Sequence, residues 1–246
     1  MKPAAQPMRF VAERSFPQAR ARATYRALLD AARDVFAAKG FDLTQSPDIA
    51  EKARVSVGSF YRYFGDKRQA FVEMIRVHLG EAHESVMAKL TPDRFSGSDH
   101  RAAIDTVLEV LFEHVARLPA LERVFLEMAL RDEEVARLHE EFETLSLESI
   151  ATLIKQIVPR EVVPDPRAAA HVVQLAAEQV AVAQSGAWGA PRVPDKAART
   201  ALREMIHRYL FPEIPVTGSS TTKTARSAPP STKMRPPWAS TARRQK

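Results

Sequence analysis

Apolar residues recur along most of this chain at intervals of three and four, the spacing of one helix face, and nowhere alternate over a useful length as a strand would. In TYRALLDAARDVFAAKG, residues Leu28, Leu29, Ala32 and Phe36 share one side, and Gly40 closes the helix. Thr44 is an N-cap residue, and Pro47 falls in the first turn, where a missing backbone N–H costs little. Ile49, Ala50 and Ala53 then mark a short helix over residues 45–53 with one buried side. Ser56 can cap the next helix, about Val57 to Phe64, while Val55 and Phe60 stand where a hydrophobic staple would pack. Only Arg54 and Val55 remain for the turn. Asp66 caps a fourth helix, about Lys67 to Leu90, and TPDRFSGSD reads as a loop.

Helical periodicity resumes at Ile104, Val107, Leu108, Leu111, Phe112 and Val115. Leu118-Pro119 opens a short helix to about Leu130, and a long one runs from Asp132 to Ile157, ended by Val158-Pro159. Asp165-Pro166 and Pro194-Asp195 start two more, at roughly 166–187 and 195–211. The pattern predicts an all-α protein of two parts, an N-terminal three-helix unit and a C-terminal helical bundle.

The stretch Thr44 to Lys67 carries the chemistry. Phe60 and Phe64 point inward together, whereas Val57, Gly58, Tyr61 and Arg62 lie towards the other side. Glycine within a helix costs roughly 0.5–1 kcal/mol relative to alanine, so Gly58 suggests close approach of the backbone to a ligand. Tyr61 and Tyr63 carry hydroxyls on rigid arms suited to phosphate oxygens, and Lys67 adds a point charge. Two short helices about a tight turn, followed by aromatic and basic residues, are how a helix-turn-helix meets DNA.

Arg22 to Phe71 resembles the DNA-binding domain of the TetR family of bacterial transcriptional regulators. The resemblance rests on the apolar spacing of the first helix and on Gly40, Thr44, Asp48-Ile49-Ala50, Val55-Ser56-Val57-Gly58, Tyr61-Arg62-Tyr63-Phe64 and Lys67, in register without an insertion. It implies contacts to DNA from Thr44, Ser46, Arg54, Ser56, Val57, Gly58, Ser59, Tyr61, Arg62, Tyr63 and Lys67. Leu29, Phe36, Ile49, Phe60 and Phe64 are expected in the core. Arg54 stands where the family usually has glycine, so it is expected to take a left-handed conformation or to contact a phosphate. Gly65-Asp66 replaces the family's proline and small polar residue and still permits a helix start.

The net charge of +6 and a pI of about 9.7 suggest nucleic acid or an acidic surface. Its distribution is more selective: residues 1–80 carry +6, residues 81–210 carry −6 and residues 211–246 carry +6. A net acidic central region should not lie along DNA. Four regions are expected: a disordered basic arm at 1–19, a helix-turn-helix domain at 20–66, a helical ligand-binding and dimerisation domain at 67–212, and a disordered basic tail at 213–246. Arg14, Arg20 and Arg22 are placed for an arm entering a minor groove.

By resemblance, the last two helices form a homodimer interface, through Val172, Leu175, Ala176, Val180, Leu202, Met205, Ile206 and Tyr209. Two recognition helices held about 34–36 Å apart then read a near-palindromic operator. Also by resemblance, a small-molecule effector, apolar or amphipathic, binds among the central helices and moves the two heads out of register. Phe112, Phe125, Met128, Phe142 and Trp188 are the candidate lining, and His114, His139 and His171 are expected to bind nothing. The expected function is thus a ligand-responsive dimeric regulator, most often a repressor in the family, with no enzyme activity and no cofactor.

Other chemistry has little support. There is no cysteine, and no nucleophile elbow or phosphate-binding glycine loop occurs. Glu204 and His207 have Glu-x-x-His spacing but lack a convincing second copy. No apolar run approaches the roughly 20 residues of a membrane span, nor does the N-terminus read as a signal peptide, so a cytoplasmic protein is expected. The alternative reading is a helical small-molecule-binding or enzymatic bundle whose basic end is incidental.

Overall fold

The computed structural model describes Phe16 and residues 18–213; the expected arm around Arg14 and nearly all of the expected C-terminal tail lie outside the described residues. Among the described residues the chain is helical, without a strand. Its helices are α1 (Ala19–Leu43), α2 (Ser46–Lys52), α3 (Val57–Tyr61), α4 (Lys67–Met87), α5 (His100–Arg117), α6 (Pro119–Ala129), α7 (Glu133–Ile157), α8 (Pro166–Ser185) and α9 (Asp195–Leu210).

Punctuation follows local chemistry closely. Gly40 breaks α1 with φ 76° and ψ 172°, a conformation glycine adopts without a Cβ penalty. The side chains of Ser56, Asp66, Asp99, Asp132 and Asp165 each accept a backbone N–H at the start of a helix. Four features differ from the pattern. Pro92–Phe95 forms a short 3-10 helix inside the expected loop, and its Phe95 is buried, so one apolar residue pins the segment. The third helix ends at Tyr61 and the fourth at Met87, each a few residues early. Thr44 does not cap α2. It ends α1, and its hydroxyl donates to the Gly40 carbonyl at 2.7 Å, while Gln45 takes the cap position with its N–H donating to Asp48 Oδ2 at 2.8 Å.

Two apolar cores organise the molecule. The first joins α1 to α4 and holds Leu28, Leu29, Phe36, Ile49, Phe60, Phe64 and Phe71. It does not stop there, because Leu121, Val124, Phe125 and Met128 of α6 and Val135 and Leu138 of α7 belong to it. The second is built by α5, the far half of α7, α8 and α9, with Ile104, Leu108, Ile154, Leu202 and Ile206 among its members. Burying one such side chain contributes about 1.5–3 kcal/mol, so each core can hold its helices without help from helix propensity.

Polar ties bind α1 and α4 to the junction of α6 and α7. Arg68 of α4 donates to Asp132 Oδ1 at 2.8 Å and to Glu134 Oε2 at 3.2 Å, and Arg131 clasps Asp42 at 3.0 and 3.1 Å. The guanidinium beside Asp132 holds that carboxyl below the usual range. Deeper in, His78 of α4 and His114 of α5 bring their Nε2 atoms to 3.3 Å. Burial, with His114 and Arg33 adding to it, pulls the His78 pKa down to about 3, so the pair is neutral at ordinary pH.

Candidate nucleic-acid interface

The turn between α2 and α3 is set by a helix ending. The Val55 N–H donates to the Ala50 carbonyl at 3.0 Å and the Arg54 N–H to the Glu51 carbonyl at 2.9 Å, the two bonds of a Schellman end. Such an end places one residue in left-handed conformation, and here it is Arg54, with φ 57°. A non-glycine pays of order 1 kcal/mol there. In return, the Arg54 side chain stands exposed beside the start of α3.

Helix α3 is fixed from behind and open in front. Phe60 and Phe64 are buried, their rings 5.4 Å apart, and Val55 packs on the same core. Ser56 caps the helix by accepting the Ser59 N–H at 3.1 Å, and the two hydroxyls lie 2.9 Å apart. The exposed side presents Val57, Gly58, Tyr61 and Arg62. Tyr61 is 54% exposed, its ring braced edge-on against Phe60. A Cβ built on Gly58 would meet only Ser56 Oγ, at 3.9 Å, so no neighbour within the chain demands glycine there. What remains is an approach from outside.

The expected contact residues therefore divide. Ser56, Val57, Gly58, Tyr61 and Arg62, with Arg54, share one accessible surface, and Arg62 reaches across it to Ser59 Oγ at 3.0 Å. Thr44 is fully buried and Ser46 nearly so, hence their side chains are structural rather than facing a groove. Tyr63 is half-buried, its ring 5.4 Å from Phe16 and 6.2 Å from Tyr25.

Lys67 has a different job from the expected phosphate contact. Its Nζ donates to the carbonyls of Phe41, Asp42 and Thr44 at 3.0, 3.0 and 2.8 Å and sits 4.9 Å from the Phe41 ring centroid. All three ammonium hydrogens are thereby engaged in closing the end of α1. Sequence reasoning missed this, since the carbonyls belong to residues more than twenty positions away. The break at Gly40, which turns those carbonyls together, was its only visible signal. Arg22, expected in a minor groove, donates to the Phe16 carbonyl at 2.8 Å, and Arg20 lies exposed on the first turn of α1.

The body holds a cavity of about 120 Å³ among α4, α5, α7, α8 and α9. Of the expected lining only Phe142 is there. Phe125 and Met128 are packed into the first core, Phe112 is buried with the Arg199 guanidinium 4.0 Å from its ring centroid, and Trp188 is 62% exposed. The helical spacing of Phe112, Phe125 and Met128 was core periodicity. His114 does line the cavity, while His139 is near Glu143 at 3.7 Å and His171 is exposed. On the outside, Val172, Leu175, Met205 and Tyr209 expose apolar surface, flanked by the part-buried Ala176 and Val180. Leu202 and Ile206, expected beside them, face the second core. Glu204 is held by Arg101 and Arg203 at 3.1 and 3.2 Å.

Comparison with known proteins agrees with this division. The model for bacterial regulatory proteins of the tetR family matches residues 28–74, and that for the tetracyclin repressor-like C-terminal domain matches residues 99–210. An HTH-type transcriptional regulator of Bacillus subtilis, YfiR, is 28% identical over 138 residues, which are 52% of this chain and 62% of the relative. A second from the same organism, YuxN, is 25% identical over 43% of this chain and 33% of its own length, so the chain spans less than two thirds of either relative. In fold, a TetR-family structure from Mesorhizobium loti superposes with a TM-score of 0.67 at 21% identity, covering 78% of this chain and 98% of the other. One head model and one body model, each seated on its own group of helices, lead to one conclusion: the chain belongs to the TetR family of bacterial transcriptional regulators.

Proposed function

We propose that the protein is a homodimeric repressor that binds a near-palindromic operator through α3 and leaves it when a small molecule occupies the cavity of the body. The observation that carries the reading is α3 itself: Phe60 and Phe64 lock it from behind, while Val57, Gly58 and Tyr61 face outward without an internal reason to do so. Ser56, Val57 and Gly58 sit at the N-terminal end of the helix, where base edges and phosphates are met in this geometry. Arg54, Tyr61 and Arg62 supply phosphate contacts around them.

Dimerisation is supported by the exposed apolar side of α8 and α9, where Val172, Leu175, Met205 and Tyr209 would be costly to leave in water. Effector control is supported by the cavity's position. Helix α4 lines it with Val86 and Met87 and begins, at Lys67, on the carbonyls that end α1, so a shift of α4 reaches the head directly.

Selection of bound fragments from the source genome, followed by footprinting, tests the reading. A short palindrome protected on both half-sites is expected, with affinity falling steeply as salt rises. Recovery of fragments with no common sequence would overturn it.

A further inference from the structure

The cavity walls are mostly hydrocarbon, from residues such as Val107, Leu111, Ile150 and Ile157, and no Lys or Arg lines it among the described residues. Its polar groups collect on one side, where α7 meets α8. Gln174 is 4% exposed and donates its amide N–H to Glu143 Oε2 at 2.8 Å, which leaves Gln174 Oε1 without a donor. Glu178, one turn further along α8, lines the same wall beside Gln174, close enough to Glu143 for the two carboxyls to disfavour each other's charge. Glu122 of α6 brings a third carboxyl close enough to disfavour their charge.

These groups are acceptors without enough donors. Among the described residues the one basic side chain recorded against Glu143 is the His139 imidazole, 3.7 Å away at the more open edge of the cluster. His83 and His114, which also line the cavity, are driven towards neutrality by burial, and the His83 ring is already engaged with Ser146 Oγ at 3.1 Å. Burial first, then Glu143, pushes the Glu178 carboxyl up to about 8. A proton on Glu178 thus relieves the crowding of charge but leaves Gln174 Oε1 unmatched. A guest with N–H donors and a positive charge answers both needs.

We propose that the cavity takes an amphipathic organic cation, its ammonium or amidinium head seated between Glu178 and Gln174 Oε1 and its apolar body among the side chains of α5 and α7. The proposal rests on the reading of this cavity as the effector site and names the class of effector. Binding would ionise Glu178, whose proton leaves to the buffer, so charge at the site is conserved.

The test uses the full chain and three matched probes: octylammonium, 1-octanol and octanoate, titrated calorimetrically at pH 7 in buffers of different ionisation enthalpy. Octylammonium should bind about ten-fold or more tighter than octanol, because a buried charge-assisted hydrogen bond is at stake, and octanoate should bind weakest. A fraction of a proton should be released per cation bound. In Glu178→Gln, close in shape, the preference should shrink to about three-fold or less and the proton release should vanish. Octanol or octanoate equalling octylammonium in the wild type would overturn the proposal without any variant being needed, as would an unchanged preference in Glu178→Gln. Operator release is followed in the same samples. Octylammonium binding with the expected preference but no release supports the cation site and sinks effector control; release by octanol or octanoate alone does the reverse.

Discussion

The head and the body of this protein are packed from different materials. In the head, Phe36 and Phe71 meet edge to face at 4.9 Å, Phe36 stacks on Phe41 at 5.7 Å, and Phe60 and Phe64 close the set. In the body the buried residues are mainly aliphatic and small, with Ala169, Ala170, Ala177 and Ala181 along α8, and the helices leave a cavity edged by Glu178 and Gln174. Interlocked rings have few alternative arrangements, which suits a surface that must match a groove. Small aliphatic side chains around a space can repack, which is what the proposed response to a ligand requires.

Truncation gives the largest expected effect. Phe64→Ala should lower stability by about 3–5 kcal/mol in urea unfolding, because the lost ring leaves a hole that the interlocked neighbours cannot fill. Phe142→Ala, which enlarges a space already present, should cost about half as much, and equal losses would break the comparison. Next is Lys67→Ala, which strands three carbonyls: a loss of about 2 kcal/mol is expected, and operator affinity should fall with it. Tyr61→Ala separates the two properties. Its stability should stay within about 0.5 kcal/mol of wild type while binding in a gel-shift titration drops at least about ten-fold.

Acidity distinguishes the body further. A carboxyl whose folded pKa is raised binds its proton more tightly in the native state, so the stability it confers is present at low pH and is lost as pH climbs from the unfolded value to about 8. Between pH 6.5 and 8, chemical denaturation should therefore show a decline of about 1–2 kcal/mol in the wild type and a flatter profile in Glu178→Gln. The smallest effect is expected at the turn. Arg54→Gly should gain about 0.5 kcal/mol in thermal unfolding, relief of the left-handed strain being partly offset by the entropy of the added glycine.

The head was the more legible region in the sequence. Phe60, Phe64, Ile49 and the cap Ser56 are all local signals, each read within one or two turns, and all hold. Arg54 was also readable, since a position that ends one helix three residues before the next begins needs a left-handed residue whatever its side chain. Thr44 and Lys67 were not. Thr44 turns back to the Gly40 carbonyl of the helix it ends instead of capping the next, Lys67 reaches carbonyls more than twenty residues away, and a residue's polarity does not reveal whether water or a carbonyl satisfies it. The body repeats this lesson. Phe125 and Phe142 are both aromatic residues on amphipathic helices, yet the first fills a core and the second faces a cavity, because helix crossing, not periodicity, decides where space is left.

The inclusion of α6 in the head's core has a practical consequence for anyone who would transplant the operator specificity of this protein. A fragment ending after the third helix would leave Phe36 and Phe64 in a core stripped of Phe71, Leu121 and Phe125, and it should aggregate or unfold. A chimera meant to carry this specificity onto another regulator must therefore bring α4 and α6 along, although some thirty residues of unrelated body separate them in the chain.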